Sequence, residues 1–232
     1  MIFVLGAASF SQGNEVETIS FKSGELVLKG YLCKPRGSGP FPLVIYNHGG
    51  VGDIIGGAPR ETCLALARAG YVGFAPIRRT TRSMQGHLDD VLAGLDYARR
   101  IEKVDAGRIA MIGFSRGSFL TYMAGIKRSE LKALIIMAAA VNSRSEQLLD
   151  NATAITAPVL ALVAKNDTGS KTTMGRNTLD GMGKIKVALE EADKDVQLIV
   201  YPPYGNDGHA MFFKIGTYWK DVLRFLNEKM SG

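Results

Sequence analysis

The stretch Met111-Ile112-Gly113-Phe114-Ser115-Arg116-Gly117-Ser118 is the part of the chain from which a fold can be predicted. It follows an apolar run at residues 108–112, which predicts a buried strand, and it precedes residues 119–124, which are compatible with a helix. Its centre has the pattern Gly-x-Ser-x-Gly, in which a serine lies on a sharp turn between a strand and a helix. Glycines on either side of such a serine relieve crowding because they have no Cβ. The chain holds 27 glycines in 232 residues, so the pattern could arise by chance and its context has to support it.

Apolar runs and helical patterns alternate along most of the chain. Helical spacing falls at residues 62–69, 87–101 and 179–192. This alternation predicts an α/β fold with a mostly parallel central sheet and helices on both faces. Strands are predicted between the helices at residues 43–46, 71–75, 131–137, 159–164 and 196–201. The first of these is continuously apolar, as expected for a strand buried on both faces, and the second also has the pattern of a buried strand.

The two ends of the chain have their own patterns. Residues 15–21 and 25–33 flank the turn Ser23-Gly24 and predict an N-terminal antiparallel hairpin.

No segment between residues 140 and 158 is long enough to form a substantial lid. No linker or repeat divides the chain, so we expect one domain over residues 1–232. The last helix is predicted to carry one apolar stripe for core packing, formed by Phe212, Ile215, Trp219, Val222, Leu223 and Leu226.

Composition narrows the classes of function. The net charge of +6 and the pI of about 9.3 come from scattered Lys and Arg residues, and no basic run is interleaved with aromatic residues, which argues against nucleic-acid binding. No apolar run reaches the length of a membrane span. Cys33 and Cys63 belong to no Cys/His ligand cluster, so no metal or other cofactor is expected. A disulfide between them is possible, but we expect two buried free thiols.

Residues 2–9 leave the compartment open. They have an apolar core and small residues spaced like a cleavage site, but they lack the basic start of a signal peptide. Residues 1–14 are therefore a residual leader or an N-terminal arm. We expect a cytoplasmic protein or, if these residues are a truncated signal peptide, a periplasmic or secreted one.

Chain order singles out the partners of Ser115. In proteins with this turn, the serine is followed by an acid and then by a histidine, and His209 is the only one of the three histidines that comes after Ser115. Asp167 follows an apolar strand by a few residues, where ligand-facing side chains of parallel sheets gather. The rival acid is Asp207, whose closeness to His209 is more typical of a local turn residue. We therefore predict Ser115, Asp167 and His209 as the catalytic set.

An oxyanion hole is predicted from the backbone. The N–H of Arg116, the residue after the nucleophile, is expected to supply one hydrogen bond. The second donor is expected in the loop Asn47-His48-Gly49-Gly50-Val51, with Gly50 as the first choice and Gly49 as the second. His48 is predicted to brace this loop and not to act as the base.

Together these residues resemble the α/β-hydrolase superfamily and, within it, the dienelactone hydrolase-like family. The matching pieces are His48-Gly49-Gly50, Gly113-Phe114-Ser115-Arg116-Gly117, the stretch from Pro158 to Asp167, and Gly208-His209. The chain departs from dienelactone hydrolases in having serine where they have cysteine, which favours a serine esterase. The resemblance also implies arginines that hold a substrate carboxylate. Arg78, Arg79 and Arg82 lie in a comparable loop, although they could equally face solvent.

The predicted function is a serine hydrolase that cleaves carboxylic esters of small molecules through an acyl-enzyme intermediate. A peptidase or amidase, or a lactone hydrolase of the dienelactone type, would use the same residues. A non-catalytic binding protein of this shape is a further alternative. The oligomeric state does not follow from the sequence.

Overall fold

Eight strands form one sheet in a computed structural model that describes residues 15–231, without the side chains of residues 143 and 144. The predicted leader or arm at residues 1–14 lies outside the described residues. The strand order is β1-β2-β4-β3-β5-β6-β7-β8, with antiparallel pairing of β2 to β1 and β4, and parallel pairing elsewhere. The strands are β1 Glu17–Ser23, β2 Leu26–Cys33, β3 Phe41–Asn47, β4 Val72–Ile77, β5 Val104–Phe114, β6 Ala133–Met137, β7 Val159–Ala164 and β8 Val196–Tyr201. This is the fold of the α/β hydrolases, and it includes the predicted N-terminal hairpin.

Helices cover both faces of the sheet. They are α1 Pro59–Arg68, α2 His87–Ala98, α3 Arg116–Lys127, α4 Ser143–Glu146, α5 Thr178–Glu191 and α6 Trp219–Met230, with 3₁₀-helices at Leu149–Ala154 and Gly208–Phe213. Apolar residues of α2, α3 and α5 pack on one face of the sheet, and those of α1 and α6 pack on the other. Every residue of β6 and β7 is buried, because these strands are covered on both sides.

The last helix begins later than its apolar stripe predicts. α6 starts at Trp219, whereas Phe212 belongs to the preceding 3₁₀-helix and Ile215 lies between the two. Lys214 is extended, with φ −150° and ψ 158°, and this interrupts the helical path. The residues of the stripe still pack in the same core, so the prediction of core packing is confirmed. The prediction of one continuous helix is wrong.

The two cysteines form a disulfide, so the expectation of free thiols is wrong. Cys33 ends β2 and Cys63 lies in α1, and packing of α1 near the end of β2 places their Cα atoms 5.6 Å apart. Both residues are fully buried. The bond therefore joins the end of the second strand of the sheet covalently to α1.

The connection from β6 to β7 holds only the short helix α4 and the 3₁₀-helix Leu149–Ala154, in agreement with the expected lack of a substantial lid. Within residues 15–231, no helix has both the length and the apolar character needed to cross a membrane. The carboxyl ends of β3, β5, β7 and β8 all face the same edge of the sheet, because these strands are parallel. The loops that follow them therefore meet at one place.

Candidate active site

Ser115 lies on the turn between β5 and α3. Its backbone has φ 54° and ψ −119°, in a region that residues with a side chain rarely adopt. A Cβ at Gly117 would collide with the carbonyl of Asn47, and one at Gly113 would collide with the carbonyl of Gly117. Both glycines are therefore required by close backbone approach, as the sequence predicts. The Ser115 N–H donates to the carbonyl of Met137 at 2.9 Å, which fixes the turn against β6.

His209 and Asp167 are in contact. The His209 Nδ1 lies 2.8 Å from Oδ2 of Asp167, and both side chains are almost completely buried. Asp167 follows β7, and His209 lies in the 3₁₀-helix that follows β8. Because β7 and β8 pair in parallel, residues 42 positions apart in sequence are brought to the same sheet edge.

Asn166 and Gly208, which adjoin Asp167 and His209 in sequence, hold the loops after β7 and β8 together. The side chain of Asn166 donates to the carbonyl of Gly205 at 3.2 Å and accepts from the N–H of Tyr204 at 2.9 Å. A Cβ at Gly208 would lie 2.6 Å from the backbone nitrogen of Asp167, so only glycine allows this approach. The contact between His209 and Asp167 is therefore set by the backbone as well as by the two side chains.

Asp207 has the local role that its position in sequence predicts. One of its oxygens accepts from the backbone N–H of His209 at 3.0 Å, so it caps the 3₁₀-helix. The other accepts from the hydroxyl of Thr172 at 2.8 Å. The imidazole of His209 is bonded to Asp167 instead.

The loop after β3 holds the two glycines predicted as oxyanion donors, and only Gly50 lines the cavity. Gly50 lines the same cavity as Ser115, with φ 92°, and a Cβ there would collide with the carbonyl of Ile54. The N–H of Gly49 donates to the carbonyl of Gly56 at 2.9 Å, so it is already engaged, and the prediction of Gly49 as an alternative donor is wrong. Arg116 begins α3 directly after Ser115 and also lines the cavity.

His48 is buried behind this loop. Its Nδ1 lies 2.6 Å from the carbonyl oxygen of Gly49, and its Nε2 accepts from the backbone N–H of Arg78 at 3.3 Å. These bonds suit a neutral ring that donates through Nδ1. Burial, and then the charge of Arg78, lower the pKa of His48 to about 3. A ring in this environment braces the loop, in line with the sequence-based expectation.

The predicted substrate-binding arginines do not reach the cavity. Arg78 is buried, and its guanidinium donates to the carbonyl of His48 at 2.6 Å. Burial lowers the pKa of Arg78 to about 9. Arg79 forms a two-bond ion pair with Asp90 at 2.7 and 2.9 Å. Arg82 is exposed, and its carbonyl accepts from the side chain of Arg116 at 2.9 Å. Arg78 and Arg79 are held by partners elsewhere, and none of the three arginines is among the residues that line the cavity.

Two other arginines line the cavity, and the sequence did not lead us to expect either side chain there. They are Arg116, for which only a backbone role was expected, and Arg176, in the loop between β7 and α5. Burial and the nearby charge of Arg176 lower the pKa of Arg116. Their positions in the sequence could have indicated a place in the cavity, because Arg116 adjoins Ser115 and Arg176 lies in the loop that follows Asp167.

The cavity has a volume of about 180 Å³ and contains both Ser115 and His209 in its lining. A hydroxyl, an imidazole and a buried carboxylate in this chain order are the groups that nucleophilic acyl transfer requires. Among residues 15–231, no group of three or more His, Cys, Asp or Glu residues is placed to hold a metal ion.

Comparison with known proteins gives the family. A "Putative carboxymethylenebutenolidase" of Methylorubrum extorquens is 28% identical over 211 residues, which cover 79% of this chain and 69% of that protein. The Pyrococcus horikoshii acylaminoacyl peptidase matches with a TM-score of 0.77 at 20% identity, over 94% of this chain but only 42% of the peptidase. A "Putative Dienelactone Hydrolase" from Klebsiella pneumoniae matches with a TM-score of 0.72 at 20% identity, over 95% of this chain and 99% of that one. The model of the dienelactone hydrolase family matches residues 77–218, which is more than half of the chain. On these grounds the chain belongs to the dienelactone hydrolase family and is a hydrolase.

Proposed function

We propose that the protein cleaves carboxylic esters through an acyl-enzyme intermediate, with Ser115 as nucleophile, His209 as base and Asp167 as the acid that orients it. The observation that carries the proposal is the buried bond between Asp167 and the Nδ1 of His209, beside a strained serine that lines the same cavity. A carboxylate on Nδ1 leaves Nε2 as the atom that accepts a proton.

In the first half of the reaction, Ser115 Oγ attacks the ester carbonyl carbon while His209 Nε2 takes the hydroxyl proton. Asp167 stabilises the imidazolium that forms. The carbonyl oxygen gains negative charge, which the N–H groups of Arg116 and Gly50 bind. The tetrahedral intermediate collapses, the bond to the alcohol oxygen breaks, and the imidazolium returns its proton to the leaving alcohol.

In the second half, water takes the place of the alcohol. His209 accepts a proton from water as the oxygen attacks the acyl carbon, and the same N–H groups bind the oxyanion. Collapse breaks the bond to Ser115 Oγ, which regains its proton from His209. The net change is one ester and one water converted to an acid and an alcohol.

Labelling of Ser115 tests the proposal. A fluorophosphonate should attach covalently to Ser115, and Ser115→Ala should lose the label and lower ester turnover by about 10⁶-fold, the loss typical of removing such a nucleophile. Ser20→Ala is the matched control because Ser20 is exposed on β1, and it should keep label and turnover. Ester turnover that persists undiminished in Ser115→Ala would refute the proposal.

A lactone is the second candidate substrate, and two observations favour it. The chain belongs to the dienelactone hydrolase family, and the cavity is lined by two cationic side chains, Arg116 and Arg176, that would attract an anionic substrate. A lactone is a cyclic ester, so the steps above apply unchanged. A panel of open esters, lactones and peptide amides, with and without a carboxylate, would separate these candidates from a peptidase or amidase.

A further inference from the structure

Exposed apolar side chains concentrate around the cavity that holds Ser115. Four of them line it: Ile54, Met84, Met174 and Phe213, which we call the apolar rim. Their exposed fractions are 66%, 37%, 58% and 42%. Elsewhere in the described residues, the other large exposed hydrophobic side chains are Leu26, Val27, Ile55, Val187 and Val200. Contiguous exposed apolar surface on a folded protein marks a binding site more often than chance exposure does.

The rim residues come from four different segments. Ile54 belongs to the connection from β3 to α1, and Met84 to the one from β4 to α2. Met174 follows β7, and Phe213 ends the 3₁₀-helix that carries His209. Four segments that each present an apolar side chain to one cavity indicate a common apolar ligand group.

Met174 is held in a constrained position. Its φ of 54° is in the left-handed region, which is unfavourable for a residue with a side chain. Hydrogen bonds close the turn of residues 170–176 around it, with Met174 N–H donating to Lys171 and Gly175 N–H donating to Ser170. Thr172 in the same turn donates to Asp207, which ties the turn to the loop of His209. Backbone strain of this kind is concentrated at functional sites.

Phe213 and Ile54 are also fixed. The ring of Phe213 packs edge to face against Phe114, with centroids 5.3 Å apart. The backbone of Ile54 lies directly over Gly50, and its N–H donates to the carbonyl of Val51 at 3.2 Å. The ring of Phe213 and the backbone of Ile54 are therefore held in place beside the cavity.

The size of the cavity shows where a larger substrate must go. Its volume of about 180 Å³ is smaller than the roughly 300 Å³ at which pockets for drug-sized ligands begin. A cavity of this size accepts the reacting ester and a short chain but not a long one. A longer group attached to that ester must extend across the apolar rim.

We propose that the apolar rim binds a large apolar group of the substrate, so that the enzyme prefers esters with a long aliphatic or aromatic substituent. This inference rests on the proposed esterase function and names the substrate class of that same site. Met174 and Ile54 are its specificity-determining residues, since they are the most exposed members of the rim.

Two ester series test the proposal, each below its critical micelle concentration. One varies the acyl group of p-nitrophenyl esters from acetate to octanoate, and the other varies the alcohol of acetate esters from ethyl to octyl. Each methylene of the substrate chain that becomes fully buried on binding increases kcat/KM by about fourfold, and each one that becomes half-buried at the open rim increases it by about twofold. We expect the wild type to show such a rise in at least one series. No rise in either series would overturn the proposal.

Paired variants locate the effect. Met174→Gln combined with Ile54→Asn replaces apolar surface by polar groups of similar size, and should lower the ratio of kcat/KM for octyl over short substrates at least fivefold. Val187→Asn removes an exposed apolar side chain from α5, away from the cavity, and should keep the ratio of the wild type. An unchanged ratio in the double variant would contradict the assignment.

A covalent readout separates this proposal from the esterase function. Octyl and ethyl fluorophosphonates label an activated serine without ester turnover. Faster labelling of Ser115 by the octyl probe, lost in the double variant, would support the rim even if no ester in the panel were cleaved. Turnover of short esters without chain-length preference in turnover or in labelling would refute the rim and leave the esterase function intact.

Discussion

Two aspartates contact His209, and they contact different atoms of it. Asp167 bonds to the Nδ1 of the ring, whereas Asp207 accepts from the backbone N–H. In the proposed mechanism, only the first contact stabilises the charge that the imidazole gains. Proximity in sequence therefore misleads here, and proximity at the sheet edge, which follows from the pairing of β7 with β8, decides between the two residues.

Asparagine substitutions at these two positions should have different consequences. Asp167→Asn removes the charge that stabilises the imidazolium and should lower kcat by about 10⁴-fold. Asp207→Asn keeps an oxygen that can accept from the same N–H, so kcat should change less than tenfold and the protein should lose at most about 1 kcal/mol of stability. Steady-state kinetics and thermal unfolding of both variants provide the measurement. Equal losses of activity in the two variants would contradict the assignment of Asp167.

The arginines show that a sequence pattern does not predict the direction of a side chain in a loop. The resemblance implied that Arg78, Arg79 and Arg82 hold the substrate, but none of them lines the cavity. The side chains of Arg78 and Arg79 have partners elsewhere, and Arg82 is exposed. The direction of a loop side chain depends on tertiary contacts such as the ion pair of Arg79 with Asp90. The placement of Ser115, Asp167 and His209 was predictable because all three follow strand ends, which the parallel sheet brings to one edge.

At the scale of elements, the strands that are buried on both faces were the easiest to predict. β7 has the bounds that its apolar run predicts, because burial of all six of its residues leaves a continuous apolar pattern. The stripe from Phe212 to Leu226 predicted one helix where the structure has two, since an apolar spacing does not record the extended residue Lys214. The disulfide was not predictable, because the approach of α1 to β2 is a tertiary event.

Two glycines of α5 should respond to alanine in opposite directions. A Cβ at Gly183 meets nothing within 4 Å, so Gly183→Ala should stabilise the protein by about 0.5–1 kcal/mol through helix propensity. A Cβ at Gly181 would lie 2.5 Å from the carbonyl oxygen of Ala139, so Gly181→Ala should destabilise it despite the same propensity gain. Chemical denaturation measures both free energies of unfolding. A loss of stability in Gly183→Ala would show that α5 packs differently.

At the scale of the whole molecule, the sheet brings cationic and neutral groups into one buried cluster behind the loop that follows β3. His48, Arg78 and His87 are all buried there. Burial is the main cause that lowers the pKa of each, to about 3 for His48 and about 4 for His87. The charge of Arg78 contributes to the lowered pKa of both histidines. The fold therefore holds two histidines in the neutral form across the physiological pH range.

This cluster predicts how stability depends on pH. The ordinary pKa of these histidines is 6.5, so below that pH the unfolded chain binds protons that the folded chain does not. Their contribution to stability is complete above about pH 6.5 and is lost as the pH falls toward the folded values. We expect the free energy of unfolding to fall by roughly 2 kcal/mol between pH 7 and pH 5.5. The variant His87→Asn should show about half of that dependence, whatever its stability at pH 7. Denaturation curves across this range provide the measurement. If the wild type kept its full stability at pH 5.5, the folded and unfolded chains would bind protons equally, and the lowered pKa of the two histidines would be contradicted.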